Sequence, residues 1–304
     1  MLSRALLLRL ADSPRVARFV KHNGMSAGFA RRFVAGETME DTAGPVRALN
    51  GAGIPCSLDY LGENTTNEKE AAESVAYYHR LFDFIAGSKL DSNVSLKLTQ
   101  LGMDLDDDLV YRNMRSILDH ASQYDQFVRI DMEGSAYTQS TLNLFYRLWE
   151  DYKNVGAVIQ TYLHRSEKDV ERLIDVGARV RLVKGAYNEP ADVAFQSKAE
   201  VDRNFLRLMR ELLLKGNYPA IATHDESMIR ATLRHAREHE IAPDRYEFQM
   251  LYGIRRERQM QTVKDGYRMR VYVPFGTQWY GYMMRRLAER PANLWFVVKN
   301  LFRR

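Results

Sequence analysis

The chain has 304 residues, 45% of them hydrophobic and 27% charged, a globular balance with room for one large domain or two ordinary ones. Its net charge of +5 comes without a dense Lys/Arg run interleaved with aromatics, so nucleic acid is not indicated, while weak attraction to an anionic membrane surface stays open. The single cysteine, Cys56, excludes an internal disulfide framework and cysteine-rich zinc or iron–sulfur sites, and fits a reducing compartment.

The first ten residues are basic and apolar, but their uninterrupted apolar run covers only 5–8, too short for a secretory core or a membrane span. The lack of an acid before Asp12 leaves a mitochondrial presequence as the alternative to an amphipathic first helix with Leu6, Leu7 and Leu10 on one face. Residues 1–50 read as helical, with Gly24, Gly36 and Gly44 as breaks. Beyond them the pattern alternates. Short apolar strands are predicted at 54–60, 94–98, 127–132, 157–161, 180–183, 220–223, 246–250 and 268–273. Segments of helical period lie between them at 68–84, 109–122, 139–153, 168–177, 194–215, 227–238 and 255–266. Eight strands alternating with helices predict an α/β fold of the (β/α)8 TIM-like type. A doubly wound sheet is the runner-up, but its dinucleotide form needs a Gly-rich turn after the first strand, and no such motif exists here. Gly51-Ala52-Gly53 precedes that strand and reads as a turn.

Chemistry in such barrels sits at the carboxyl ends of the strands, and polar residues gather there. Lys97 falls within an otherwise apolar second strand, where a charge needs a partner, and Asp131 at the end of the third is the expected one. The pair is either a structural ion pair or a lysine presented to an anionic ligand. Gln160, ending the fourth strand, suits the edge of a flavin or base, or is a satisfied core amide. Arg181 is expected to point into the mouth, and Lys184-Gly185-Ala186-Tyr187 to form the following loop, where Gly185 permits close approach to a ligand. Thr223-His224-Asp225 hints at a metal or hydrolase constellation, but no further ligand spacing and no nucleophile elbow accompany it. His224 is read instead as a contact to a phosphate or ring, and no metal is expected. His22, His79, His120, His164, His235 and His239 are read as solvent-facing.

The last candidate follows the eighth strand. Tyr282-Met283-Met284-Arg285-Arg286-Leu287-Ala288-Glu289-Arg290 reads as a helix ended by Pro291. Tyr282 falls beside Arg285 and Arg286, and Glu289 one turn on. Two guanidinium groups steadied by a carboxylate suit a bidentate grip on a small carboxylate, against the bland alternative of a solvated helix end.

Five of these segments, in order, resemble the proline dehydrogenase family: Arg181-Leu182-Val183-Lys184-Gly185-Ala186-Tyr187, Ala222-Thr223-His224-Asp225, Phe248-Gln249-Met250-Leu251-Tyr252-Gly253, Tyr272-Val273-Pro274-Phe275-Gly276 and the helix from Tyr282 to Glu289. The resemblance runs from about Asp59 to Phe302, and the length matches the monofunctional bacterial form. It implies a single catalytic domain over 1–304, with a helical segment over 1–50 and a distorted barrel over 51–304 whose final helix lies over the mouth. It implies oxidation of L-proline to Δ1-pyrroline-5-carboxylate by hydride transfer to FAD N5, the first step of proline catabolism, with electrons passed to a quinone. Lys97, Arg285, Arg286, Tyr272, Tyr282, Leu251 and Glu289 match substrate-site residues, and Asp131 and Arg181 catalytic ones. Met132, Gln160, Arg181, Lys184, Gly185, Ala186, Tyr187, Thr223 and His224 match the flavin site. A cytoplasmic protein with peripheral membrane contact fits a quinone acceptor, and the oligomeric state is left open. The rival classes are a flavin-free barrel enzyme for a phosphorylated or carboxylate substrate and a non-catalytic scaffold, with hydroxyproline as rival substrate within the favoured class.

Overall fold

The structure is a computed structural model, and it describes residues 32–283. A first helix, α1 (Met39–Asn50), is nucleated by a capping box in which Thr38 and Asp41 satisfy each other's backbone amides. Eight strands and seven further helices then alternate: β1 (Cys56–Tyr60), α2 (Glu68–Gly87), β2 (Ser92–Leu96), α3 (Asp107–Ser122), β3 (Val128–Ile130), α4 (Ser135–Trp149), β4 (Val155–Gln160), α5 (Ser166–Asp175), β5 (Arg179–Val183), α6 (Lys198–Lys215), β6 (Ala220–Ala222), α7 (Glu226–Glu238), β7 (Glu247–Leu251), α8 (Arg256–Lys264) and β8 (Met269–Phe275). The strands form a closed barrel in chain order. Every neighbouring pair is parallel, and β8 closes on β1 from Cys56 opposite Val271 to Tyr60 opposite Phe275. The (β/α)8 expectation therefore holds, and the doubly wound sheet does not. Residues 51–53 form the expected turn. The chain is again helical from residue 279 to 283, the last described residue, so helix begins three residues before Tyr282, where the final helix was expected to start.

Side chains alternate along a strand with a period of two, and that alternation sorts the barrel into two environments. Leu58, Val94, Leu96, Val128, Ile130, Ala157, Ile159, Val180, Leu182, Ile221, Phe248, Val271 and Val273 are buried in the apolar cluster that also takes in the helices. Their strand neighbours Ser57, Asp59, Ser95, Arg129, Arg181, Glu247 and Gln249 are also buried, but polar. Inside the barrel Arg270 Nε donates to Glu247 Oε1 (2.9 Å), Gln249 Nε2 donates to the same oxygen (2.5 Å), and Arg181 Nε donates to Gln249 Oε1 (2.6 Å). Burial alone pushes the Glu247 carboxyl up, but Arg270 outweighs it and holds the group below its ordinary value. A chain of charge-assisted bonds thus fills the interior where aliphatic side chains usually pack, and it leads up to the mouth.

Three expectations need correction. Gly44 does not break the helical segment but lies inside α1. Strand β2 ends at Leu96, so Lys97 is the first residue beyond it rather than part of the strand. His235 is 8% exposed, not solvent-facing, because it falls on the α7 face that also buries Met228 and Thr232. The expected helical breaks and amphipathic face before residue 32 lie outside the described residues, as do Arg285, Arg286 and Glu289.

Candidate active site

A cavity of about 580 Å³ opens at the carboxyl ends of the strands, the end at which barrel chemistry is expected. All the described candidates line it: Lys97 after β2, Asp131 and Met132 after β3, Gln160 on β4, Arg181 on β5, Lys184, Gly185, Ala186 and Tyr187 in the loop beyond, Thr223 and His224 after β6, Leu251 on β7, Tyr272 on β8, and Tyr282 in the terminal helix. The strand register makes this convergence possible. Tyr272 on β8 lies opposite Ser57 on β1, and Ser95 on β2 lies opposite both Asp59 and Arg129, so residues two positions further up reach one level of the mouth.

At that level sits a buried cluster of alternating charge. Arg181 Nη1 donates to Asp131 Oδ1 at 2.7 Å, and Arg181 Nη2 donates to Ser95 Oγ at 3.0 Å. The Tyr272 hydroxyl donates to the other Asp131 oxygen at 2.6 Å. Burial, then the charges of Asp131 and Asp59, push the Tyr272 phenol well up, so it remains a neutral donor. The Arg181 guanidinium lies 5.2 Å from the centre of the Tyr272 ring.

Lys97 departs from expectation. Its main partner is Asp59, at 3.0 Å, while Asp131 Oδ2 is 3.9 Å away. Asp131 is already engaged by Arg181 and Tyr272, which leaves Asp59 as the nearer carboxylate. Burial works against the Lys97 charge, but Asp59 and then Asp131 outweigh it and raise the ammonium above its ordinary pKa, so the cation persists. Burial pushes the Asp59 carboxyl up, opposed by Lys97. Sequence reasoning missed Asp59. The rule that picks polar residues at strand ends would find it at the end of β1, yet between Leu58 and Tyr60 it equally resembles the solvent side of an alternating strand.

The far side of the cavity is organised by the loop after β5. Main-chain bonds from Thr161 to Val183 (2.8 Å) and Tyr162 to Lys184 (2.9 Å) continue the β4–β5 pairing beyond the strands. Gly185 has φ +111°, and a Cβ there would meet the Tyr162 ring at 2.3 Å, so glycine is required by packing as well as by backbone conformation. Lys184 pairs with Asp202 (2.5 Å) and Asp225 (3.0 Å). Asp225 also caps α7 through the Ser227 amide. Burial raises its carboxyl, but the hydrogen bonds from Ser227 and Lys184 prevail and hold it well below the usual carboxylate range. His224 Nε2 accepts from the Leu251 amide at 2.9 Å, which puts the ring proton on Nδ1. Gln160 Nε2 donates to the carbonyls of Met132 and Glu133, while its Oε1 is buried without a hydrogen-bond partner. Gln160 as a residue lines the same cavity, and a buried acceptor left without a donor is uncommon in a folded protein.

The fold and this mouth define a (β/α)8-barrel enzyme whose strand ends carry fixed cations, carboxylates and an unfilled acceptor around one cavity. The family model for proline dehydrogenase matches residues 43–299, and the chain belongs to that family of oxidoreductases. It is 45% identical to proline dehydrogenase 1 of Bacillus subtilis subsp. natto, over 99% of both chains. It is 40% identical to the proline dehydrogenase of Deinococcus radiodurans, over 99% of this chain and 98% of the other. Among solved structures it resembles proline utilization A of Bdellovibrio bacteriovorus, inactivated by N-propargylglycine, with 29% identity and a TM-score of 0.82. That match covers 93% of this chain and 36% of the larger protein.

Proposed function

We propose that this chain oxidises L-proline to Δ1-pyrroline-5-carboxylate with FAD held in the cavity, and that the electrons pass on to a quinone. The observation that carries the reading is the orphaned Oε1 of Gln160, buried on the wall that also presents Arg181 and Gly185. An isoalloxazine ring has an imide N–H to fill such an acceptor, and Lys184 and His224 suit its phosphates and sugar chain. Met132, Ala186, Tyr187 and Thr223 complete that side. Bound FAD would take the hydride; the protein supplies position and charge.

On the substrate side, Lys97 offers a permanent cation to the proline carboxylate, beside the arginine pair assigned from sequence, Arg285 and Arg286, with Glu289 steadying one of them. Asp59 and Asp131 hold Lys97 in place. Leu251, Tyr272 and Tyr282 wall off a small apolar slot for the ring. Arg181, fixed by Asp131, Gln249 and Ser95, contributes positive charge where a ring gaining electrons benefits from it. Among the described residues no helix is long and apolar enough to cross a membrane. We place the protein in the cytoplasm, meeting the membrane peripherally to deliver electrons.

The test is the visible spectrum of the purified protein. A flavin band that bleaches on anaerobic addition of L-proline supports the reading. A colourless protein that cannot be reconstituted with FAD overturns it and favours the flavin-free barrel enzyme.

A further inference from the structure

At the opposite end of the barrel from the cavity, α7 ends in a cluster that the proline chemistry does not use. The helix leaves β6 at the mouth and delivers the chain to the start of β7, so its last turn lies at the amino ends of the strands. There one ring nitrogen each of His235 and His239 and a carboxylate oxygen of Glu238 lie within 4.8 Å of one another. The two imidazoles are i and i+4 on the helix, with ring centres 4.0 Å apart. We propose that His235, Glu238 and His239 form a binding site for a divalent transition-metal ion of the zinc class.

Three features point to a ligand here. His235 is 8% exposed, and its Nε2 is buried without a hydrogen-bond partner. The Nδ1 of His239 sits 3.0 Å from the His235 carbonyl. A proton on that nitrogen leaves Nε2 for a metal, the carbonyl–histidine–metal arrangement that fixes a ligand's tautomer. The carbonyl end of a helix also carries partial negative charge, which favours a cation. Donors bound tetrahedrally to zinc at ~2.1 Å lie ~3.4 Å apart. Glu238 and His239 are both exposed, so rotation of the Glu238 side chain, with the His239 ring held by its Nδ1 bond, closes the remaining gap. Two imidazoles and one carboxylate match zinc and its Irving–Williams neighbours rather than magnesium or calcium, and leave the fourth position to water.

Isothermal titration of the untagged, full-length protein with zinc chloride tests the site. We expect one saturable equivalent, an affinity at least tenfold weaker in His239→Ala, and a zinc-dependent rise in melting temperature that this variant loses. Without zinc, His239→Ala should oxidise proline at the wild-type rate, because the site lies away from the mouth. No saturable binding, or an affinity unchanged in His239→Ala, overturns the proposal. So does a loss of binding confined to His120→Ala, which would move the ion to the stacked His79–His120 pair.

Discussion

The ammonium of Lys97 lies 3.0 Å from Asp59, the residue at the end of the adjacent strand, and only secondarily near Asp131. The two carboxylates have divided the work. Asp131 holds Arg181 and Tyr272, and Asp59 holds Lys97. Asp59→Asn keeps the shape and removes the charge, which strands a buried cation with its more distant partner. Breaking a buried pair costs about 3–5 kcal/mol when no second carboxylate is near. With Asp131 at 3.9 Å the loss should be smaller, about 2 kcal/mol. The urea midpoint should fall accordingly and the KM for proline should rise. An unchanged midpoint together with an unchanged KM would show that Lys97 does not depend on Asp59.

Much of this arrangement was legible in the residues. Apolar runs separated by amphipathic segments gave the strand order of a parallel barrel, and polar residues at strand ends marked Lys97, Asp131, Gln160 and Arg181. What a lone sequence does not encode is which side of a strand faces the axis. Arg129, Glu247 and Arg270 alternate with apolar neighbours, a pattern that a strand with one solvent-facing side would share. Arg129 and Glu247 are buried and Arg270 half-buried because the closed sheet turns that face inward, and they persist there by pairing with one another and with backbone carbonyls. Asp59 was obscured for the same reason. His235 carried a readable signal, its spacing of seven and three from Met228 and Thr232, yet a polar residue on a buried stripe is easily taken for its edge.

Gly185→Ala should damage the cavity without unfolding the barrel. The left-handed backbone costs an alanine about 1–2 kcal/mol, and its Cβ would strike the Tyr162 ring at 2.3 Å. The loop must shift, and with it Lys184 and Tyr187. We expect loss of bound flavin, read as the ratio of visible to ultraviolet absorbance, with far-ultraviolet circular dichroism unchanged. Full flavin content in this variant would show that the loop has more freedom than its packing suggests.

Acid should weaken the Lys184–Asp202–Asp225 cluster. The Asp225 and Asp202 carboxyls both sit below their ordinary pKa because hydrogen bonds and lysine charges outweigh their burial. A carboxyl depressed by folding stabilises the native state above its unfolded pKa of about 3.9 and loses that contribution as the pH falls towards its folded value. Stability should therefore decline below about pH 4. Asp225→Asn retains a capping side chain for α7 but does not ionise, so urea midpoints measured down to about pH 3 should show a shallower decline than in the parent. Equal slopes would assign the acid sensitivity to other carboxylates, such as Glu226 or Glu247.

Arg285 and Arg286 provide the sharpest test of the substrate reading. Near Tyr272 the described cavity presents the cations Lys97 and Arg181, but these face the carboxylates Asp59 and Asp131, so the charges of that group nearly cancel. A proline carboxylate needs positive charge that is not already spoken for, and the terminal helix is the element that brings Tyr282 to this cavity. Arg285→Met or Arg286→Met each removes a charged hydrogen bond worth about 1.5–3 kcal/mol, so proline affinity should fall by at least about tenfold while FAD stays bound. Steady-state kinetics with intact flavin content separate this from misfolding. If both variants turned over proline with parental constants, the carboxylate would have to be held by Lys97 alone, and the role assigned to the final helix would be wrong.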